Sequence, residues 1–220
     1  MNDPLPLVIA NLKANKTWDQ MSAWLNIIGP KAESFAGTVI VCPTAAFLAA
    51  TFQKINSAGW QIKLSAQDIS QFEQGAYTGE VAASQIADLC RYVIIGHSER
   101  RQNFNEDDNL LAQKAQNAKK AGLEIIFCIQ NPEAKIPEGV NIVAYEPIFA
   151  IGTGHPDTPE NAQTIGERLK AKGPYTVLYG GSVSPQNTKS FIKQGILDGV
   201  LIGANSLDPQ KFIQIIKTAS

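Results

Sequence analysis

The stretch Tyr92-Val93-Ile94-Ile95-Gly96-His97-Ser98-Glu99-Arg100-Arg101 packs a fold signal and a chemical signal into ten residues. Four β-favouring apolar residues run together without alternation, as in a strand buried on both faces. Gly96 then breaks the run, and polar groups follow at once. Seven similar runs lie on either side: Leu5 to Ala10, Thr38 to Val41, Gln61 to Ala66, Glu124 to Ile129, Asn141 to Tyr145, Tyr175 to Tyr179 and Gly199 to Ile202. Helical patterns with start signals separate most of them. Thr17 precedes Met21, Trp24, Leu25 and Ile28. Thr44 opens a helix over Ala45 to Ile55. Thr158-Pro159, Ser184-Pro185 and Asp208-Pro209 repeat the same grammar.

Eight strand–helix units of about 27 residues each predict an α/β fold, a (β/α)₈ barrel in a single domain over residues 1–220. A doubly wound open sheet has the same local pattern. One unit is abnormal. Only Gln130 to Val140 separates the fifth run from the sixth, and it holds Pro132, Pro137 and Gly139. The fifth helix is therefore expected to be missing or reduced to a loop. Its loss is expected to uncover apolar surface outside the fifth and sixth strands.

Composition narrows the function. Hydrophobic residues are 44% and charged residues 18%, enough for a large core and too little charge for disorder. A formal net charge of -1 argues against nucleic acid or an anionic membrane as partner. Neither a leader after Met1-Asn2-Asp3 nor a membrane span is read. Three scattered cysteines, Cys42, Cys90 and Cys128, form no metal spacing or disulfide framework, which fits a reduced cytoplasmic setting. No metal or cofactor is expected.

Functional residues of such barrels sit just past the strand ends. Those positions hold Asn11 and Lys13, then His97 and Glu99, then Glu146, followed by Ala150-Ile151-Gly152-Thr153-Gly154. Gly180-Gly181-Ser182 and Gly203-Ala204-Asn205-Ser206 close the series. A carboxylate, an imidazole and an ammonium form an acid/base set. The small-residue turns after strands seven and eight can aim N–H groups at an anion. Together they suit proton abstraction next to a carbonyl in a small phosphorylated sugar.

The blocks Asn11 to Asn15, Gly75 to Glu80, Gly96 to Arg101, Ala144 to Gly154, Tyr179 to Val183 and Val200 to Gly203 resemble the triosephosphate isomerase family, in its order and over nearly the whole chain. The resemblance implies a cofactor-free enzyme of glycolysis and gluconeogenesis that interconverts dihydroxyacetone phosphate and glyceraldehyde 3-phosphate through an enediolate. It implies Glu146 as the base, His97 as a neutral donor, Lys13 as the offsetting cation, Asn11 as an orienting group and Glu99 as support. It further implies a mobile lid at Ala150, Ile151, Gly152 and Thr153, and a phosphate cradle from Gly152, Ser182, Gly203 and Ala204. Finally, it implies a homodimer through the loop Gly75 to Glu80, with Thr78 approaching the partner's site. Leu12, Ala14, Phe149, His155-Pro156-Asp157 and Ala204 depart from the family pattern without removing a proton-transfer group. His155 reads as an exposed loop residue, Cys128 as a packed thiol and Glu106 as an ion-pair partner of Arg100 or Arg101. Two other readings compete: a catalytically weak phosphate-binding or scaffold barrel, motivated by the missing helix, and a barrel isomerase for a larger sugar phosphate.

Overall fold

The computed structural model describes residues 3–150, 154–193 and 195–220. Eight parallel strands close on themselves in sequence order: β1 (Leu7–Asn11), β2 (Thr38–Cys42), β3 (Ile62–Ala66), β4 (Tyr92–Ile95), β5 (Glu124–Ile129), β6 (Ile142–Tyr145), β7 (Thr176–Tyr179) and β8 (Gly199–Ile202). Closure is made by β1 against β8, with Leu7 opposite Gly199 and Ala10 opposite Ile202. This settles the choice between barrel and open sheet.

The unbroken apolar runs have a simple cause. Successive side chains of a strand point to opposite faces, and here both faces are covered. Leu7, Ile9, Ile40, Cys42, Ile94, Ile126, Cys128, Ala144 and Leu178 fill the barrel interior. Their neighbours Val8, Ala10, Val39, Val41, Val93, Ile95, Ile125, Phe127 and Val143 face the surrounding helices.

The long helices are α1 (Trp18–Ala32), α2 (Leu48–Ala58), α5 (Asp108–Lys120), α6 (Pro159–Lys172) and α8 (Pro209–Ala219). Between them lie the short α3 (Ala83–Ile86), α4 (Ser98–Asn103) and α7 (Thr188–Ile192). Thr17 caps α1 reciprocally with Gln20, while Thr158 and Asp208 cap α6 and α8 through their side chains. The helix expected from Ala45 begins as a 3₁₀ turn (Ala45–Phe47) and becomes α-helical at Leu48. Among the described residues no helix is long and apolar enough to cross a membrane.

No helix joins β5 to β6. The expected uncovering of apolar surface does not occur, however. Phe127 and Ile129 on β5, and Val143 and Tyr145 on β6, are all buried. Ala134 and Ile136 of the connection pack against the core cluster to which these four belong, and Val140 is buried in it. Charged contacts fasten this cover at both ends: Glu133 pairs with Arg168 and Lys172 of α6, and Glu138 pairs with Lys119 of α5. A loop with three apolar anchors does the covering work of a helix face, because coverage depends on apolar contact and not on helicity.

Candidate active site

The strand ends meet around one cavity of about 320 Å³. Asn11, Lys13, His97, Glu146, Ser182, Gly203 and Ala204 all line it, so the ends of β1, β4, β6, β7 and β8 converge on one space. That volume lies at the small end of ligand pockets.

Lys13 sits just past β1 with a left-handed backbone, φ 53. A side-chain-bearing residue tolerates this only where its surroundings impose it. Here its N–H donates to Asn11 Oδ1 at 3.1 Å, and Gln67 Nε2 donates to its carbonyl at 3.0 Å and to that of Cys42 at 2.8 Å. Its ammonium pairs with the Glu99 carboxylate. A Cβ on Gly203 would stand 3.2 Å from Lys13 Cε, so the missing side chain there leaves room for the cation.

Gly96 turns the chain after β4 with φ 76 and delivers His97 to the start of α4. The Glu99 N–H donates to His97 Nδ1 at 3.2 Å. A ring nitrogen that accepts carries no proton, so the ring's N–H is on Nε2. That nitrogen lies 3.3 Å from Glu146 Oε1. Glu146 is only 1% exposed, and its other oxygen accepts the Ser98 N–H at 3.0 Å. Helix α4 is itself pinned: Arg100 pairs with Glu106 at 2.7 Å and Asp68 at 2.9 Å, and Lys114 bridges the same two acids. Glu106 thus pairs with Arg100, while Arg101 reaches Asp108. Burial pushes the Asp68 carboxyl up, an effect that Lys114 opposes. Cys128 thiol is held well above its ordinary range, by burial first and by the Glu146 charge second, so it stays a protonated packing group.

The turns after β7 and β8 are held by two asparagines, Asn205 of the block noted after the eighth strand and Asn187, which the sequence pattern does not single out. Asn187 Nδ2 donates to the Ser182 carbonyl at 2.9 Å, and its Oδ1 accepts the Ser184 N–H at 2.8 Å. Asn205 Nδ2 donates to the Val183 carbonyl at 2.6 Å. Ser184 followed three residues later by Asn187 was a readable turn signal. Gln67 left none, since it acts across three strands. Ser182 Oγ donates to the Ala150 carbonyl at 2.6 Å. Ile151, Gly152 and Thr153 lie outside the described residues. Thr78 is exposed on the loop after β3 and does not line this chain's cavity. His155 is exposed. Among the described residues no group of His, Cys, Asp or Glu is arranged to hold a metal.

A carboxylate, an imidazole and an ammonium on one cavity with the small-residue turns after strands seven and eight mark the class of (β/α)₈ barrels that handle small phosphorylated molecules. Comparison with known proteins narrows the class. The family model described as triosephosphate isomerase matches residues 6–141 and 135–219, its two stretches meeting within the helix-free β5–β6 connection. The triosephosphate isomerases of Nitrosococcus oceani and Shewanella loihica are 37% and 35% identical, and each alignment covers 97% of this chain and 97% or more of the relative. The crystal structure of triosephosphate isomerase from Bartonella henselae superposes with a TM-score of 0.84 at 27% identity, covering 97% of this chain and 98% of that one. The chain belongs to the triosephosphate isomerase family.

Proposed function

We infer that this chain interconverts dihydroxyacetone phosphate and glyceraldehyde 3-phosphate, an aldose–ketose isomerisation of glycolysis and gluconeogenesis. The observation that carries the residue roles is the His97–Glu146 pair: a ring N–H and a buried carboxylate 3.3 Å apart, beside Lys13, on one small cavity.

Glu146 takes the proton from the carbon next to the substrate carbonyl and returns it to the neighbouring carbon. Between these steps negative charge builds on the two oxygens of an enediolate. His97 Nε2–H donates to those oxygens, the Lys13 ammonium offsets their charge, and Asn11 orients the substrate. Glu99 supports both partners, since its backbone fixes the His97 tautomer and its carboxylate holds Lys13. These groups are fixed before reaction, so they stabilise the charge with little reorganisation. In the free protein Glu146 is engaged with Ser98 and His97. Substrate must displace one of these contacts for an oxygen to reach carbon. Ser182, Gly203 and Ala204 cradle the phosphate. The enediolate must be shielded from water while it exists, or its phosphate is lost.

The working form is a homodimer in the cytoplasm. The loop Gly75 to Glu80 is exposed, and Tyr77 stacks on Phe72 with ring centroids 4.0 Å apart. This presents an aromatic pair to a partner together with Thr78. Sedimentation that returns only monomer would remove the dimer. Three free, buried cysteines fit a reducing compartment.

A coupled assay on glyceraldehyde 3-phosphate tests the reaction and the base together. Wild type turns over, and Glu146→Gln loses on the order of 10³-fold in kcat. Equal turnover by the two proteins would refute the role of Glu146.

A further inference from the structure

Strand β6 ends at Tyr145, and Asp157 lies just ahead of α6. Asp157 is only 7% exposed. Its Oδ1 accepts the Thr158 N–H at 2.8 Å. Its Oδ2 accepts from Asn161 Nδ2 at 2.7 Å and from the Tyr145 hydroxyl at 3.3 Å. Its own N–H donates to the Tyr179 hydroxyl at 2.8 Å. Tyr145 directly precedes Glu146, and Tyr179 directly precedes Gly180-Gly181-Ser182. Tyr179 stacks on Phe191 with centroids 3.9 Å apart, so its hydroxyl sits on a rigid arm.

The plain alternative is a helix-start role. Yet Thr158 already caps α6, accepting the Asn161 N–H at 3.2 Å. Burying a carboxylate is costly unless its hydrogen bonds are met, and here three donors meet them, two from beyond its own backbone neighbour. Burial, and then the Asp157 charge, pushes the Tyr145 phenol up to about 12, which keeps it a donor.

We propose that Asp157 is a positioning residue for the isomerisation: its carboxylate ties the start of α6 to Tyr145 at the end of β6, which holds its backbone N–H on Tyr179 at the end of β7, and so keeps the base and the phosphate turn in register. The inference rests on the reaction assigned above. It is tested with Asp157→Ala in the full chain, by steady-state kinetics and by amide exchange at position 157. Loss of the anchor lowers kcat by roughly tenfold, with a smaller change in KM, and it also removes the protection of the amide that donates to Tyr179. Tyr145→Phe keeps the ring and deletes only the donor, so it serves if Asp157→Ala does not fold. It lowers kcat in the same direction, and in the double variant it adds nothing to Asp157→Ala. The proposal is overturned if kcat stays within about twofold of wild type, if protection is unchanged, or if the two substitutions add. A wild-type chain without turnover would refute the assigned reaction and not the anchor, which the exchange measurement would then decide alone.

Discussion

Gly180 stands where β7 ends, against the base. A Cβ built there lies 2.9 Å from Glu146 Cγ and 3.3 Å from the Tyr145 carbonyl oxygen. Carbons rest about 3.5–4.0 Å apart, so Gly180→Ala must open that contact by roughly 0.6–1 Å. The backbone cannot easily retreat, because the Gly180 N–H is bonded to the Tyr145 carbonyl at 2.8 Å. Gly180 is not among the positive-φ glycines, so alanine fits its backbone and the variant tests space alone. The displaced group is Glu146, whose Oε2 then loses its aim at the Ser98 N–H. A misplacement near 1 Å costs on the order of 10²-fold in kcat. Crowding costs about 1–3 kcal/mol of stability. The coupled isomerase assay reads the first effect and urea denaturation the second. A Gly180→Ala enzyme with kcat within about threefold of wild type would show that the position of Glu146 is not set by this contact.

Two further outcomes follow from the packing and the buried acids. Phe127 on the outer face of β5 is 1% exposed, so Phe127→Ala should cost about 3–5 kcal/mol in denaturation if that face is a true core; a loss under about 1 kcal/mol would mean that it is loosely covered. Burial pushes Cys42 and Cys90 from 9.0 up to about 12, and Tyr145 from 10.0 up to about 12. Their protonated forms are favoured in the fold, so this stability is fully present below pH 9.0 and lost as pH rises toward 12. Denaturation midpoints should therefore fall as pH rises from 9.0 toward 12, more shallowly in Cys42→Ala; a flat profile would contradict the assignment of these groups to the buried interior.

Much of the molecule is legible in its residues. Runs such as Ile125-Ile126-Phe127 announce strands covered on both faces, and the caps Thr17, Thr158 and Asp208 mark helix starts. Asn11, Lys13, His97 and Glu146 are readable because strand ends in a barrel point the same way. Pro132, Pro137 and Gly139 similarly announce the lost helix. What replaces that helix is not readable, since Ala134 and Ile136 look like ordinary loop residues until their neighbours in space are known. Closure of the sheet is equally silent, because β1 meets β8 across almost the full chain. The His97 tautomer depends on a backbone N–H, which every residue but proline carries. Asp157 reads as a departure from a pattern, and its burial among two tyrosines and Asn161 is a tertiary fact.

The short β5–β6 connection also bears on how the chain finds its shape. Ile126 and Ile142 are paired although only 16 positions apart, whereas Ile142 and Thr176 are 34 apart. Ring closure costs entropy that grows with the logarithm of the span, so the shorter span saves about 0.7 kcal/mol. A nascent polymer thus meets its least expensive long-range encounter in the middle of its length. The connection without a helix gives the closing cylinder its shortest span between neighbouring strands.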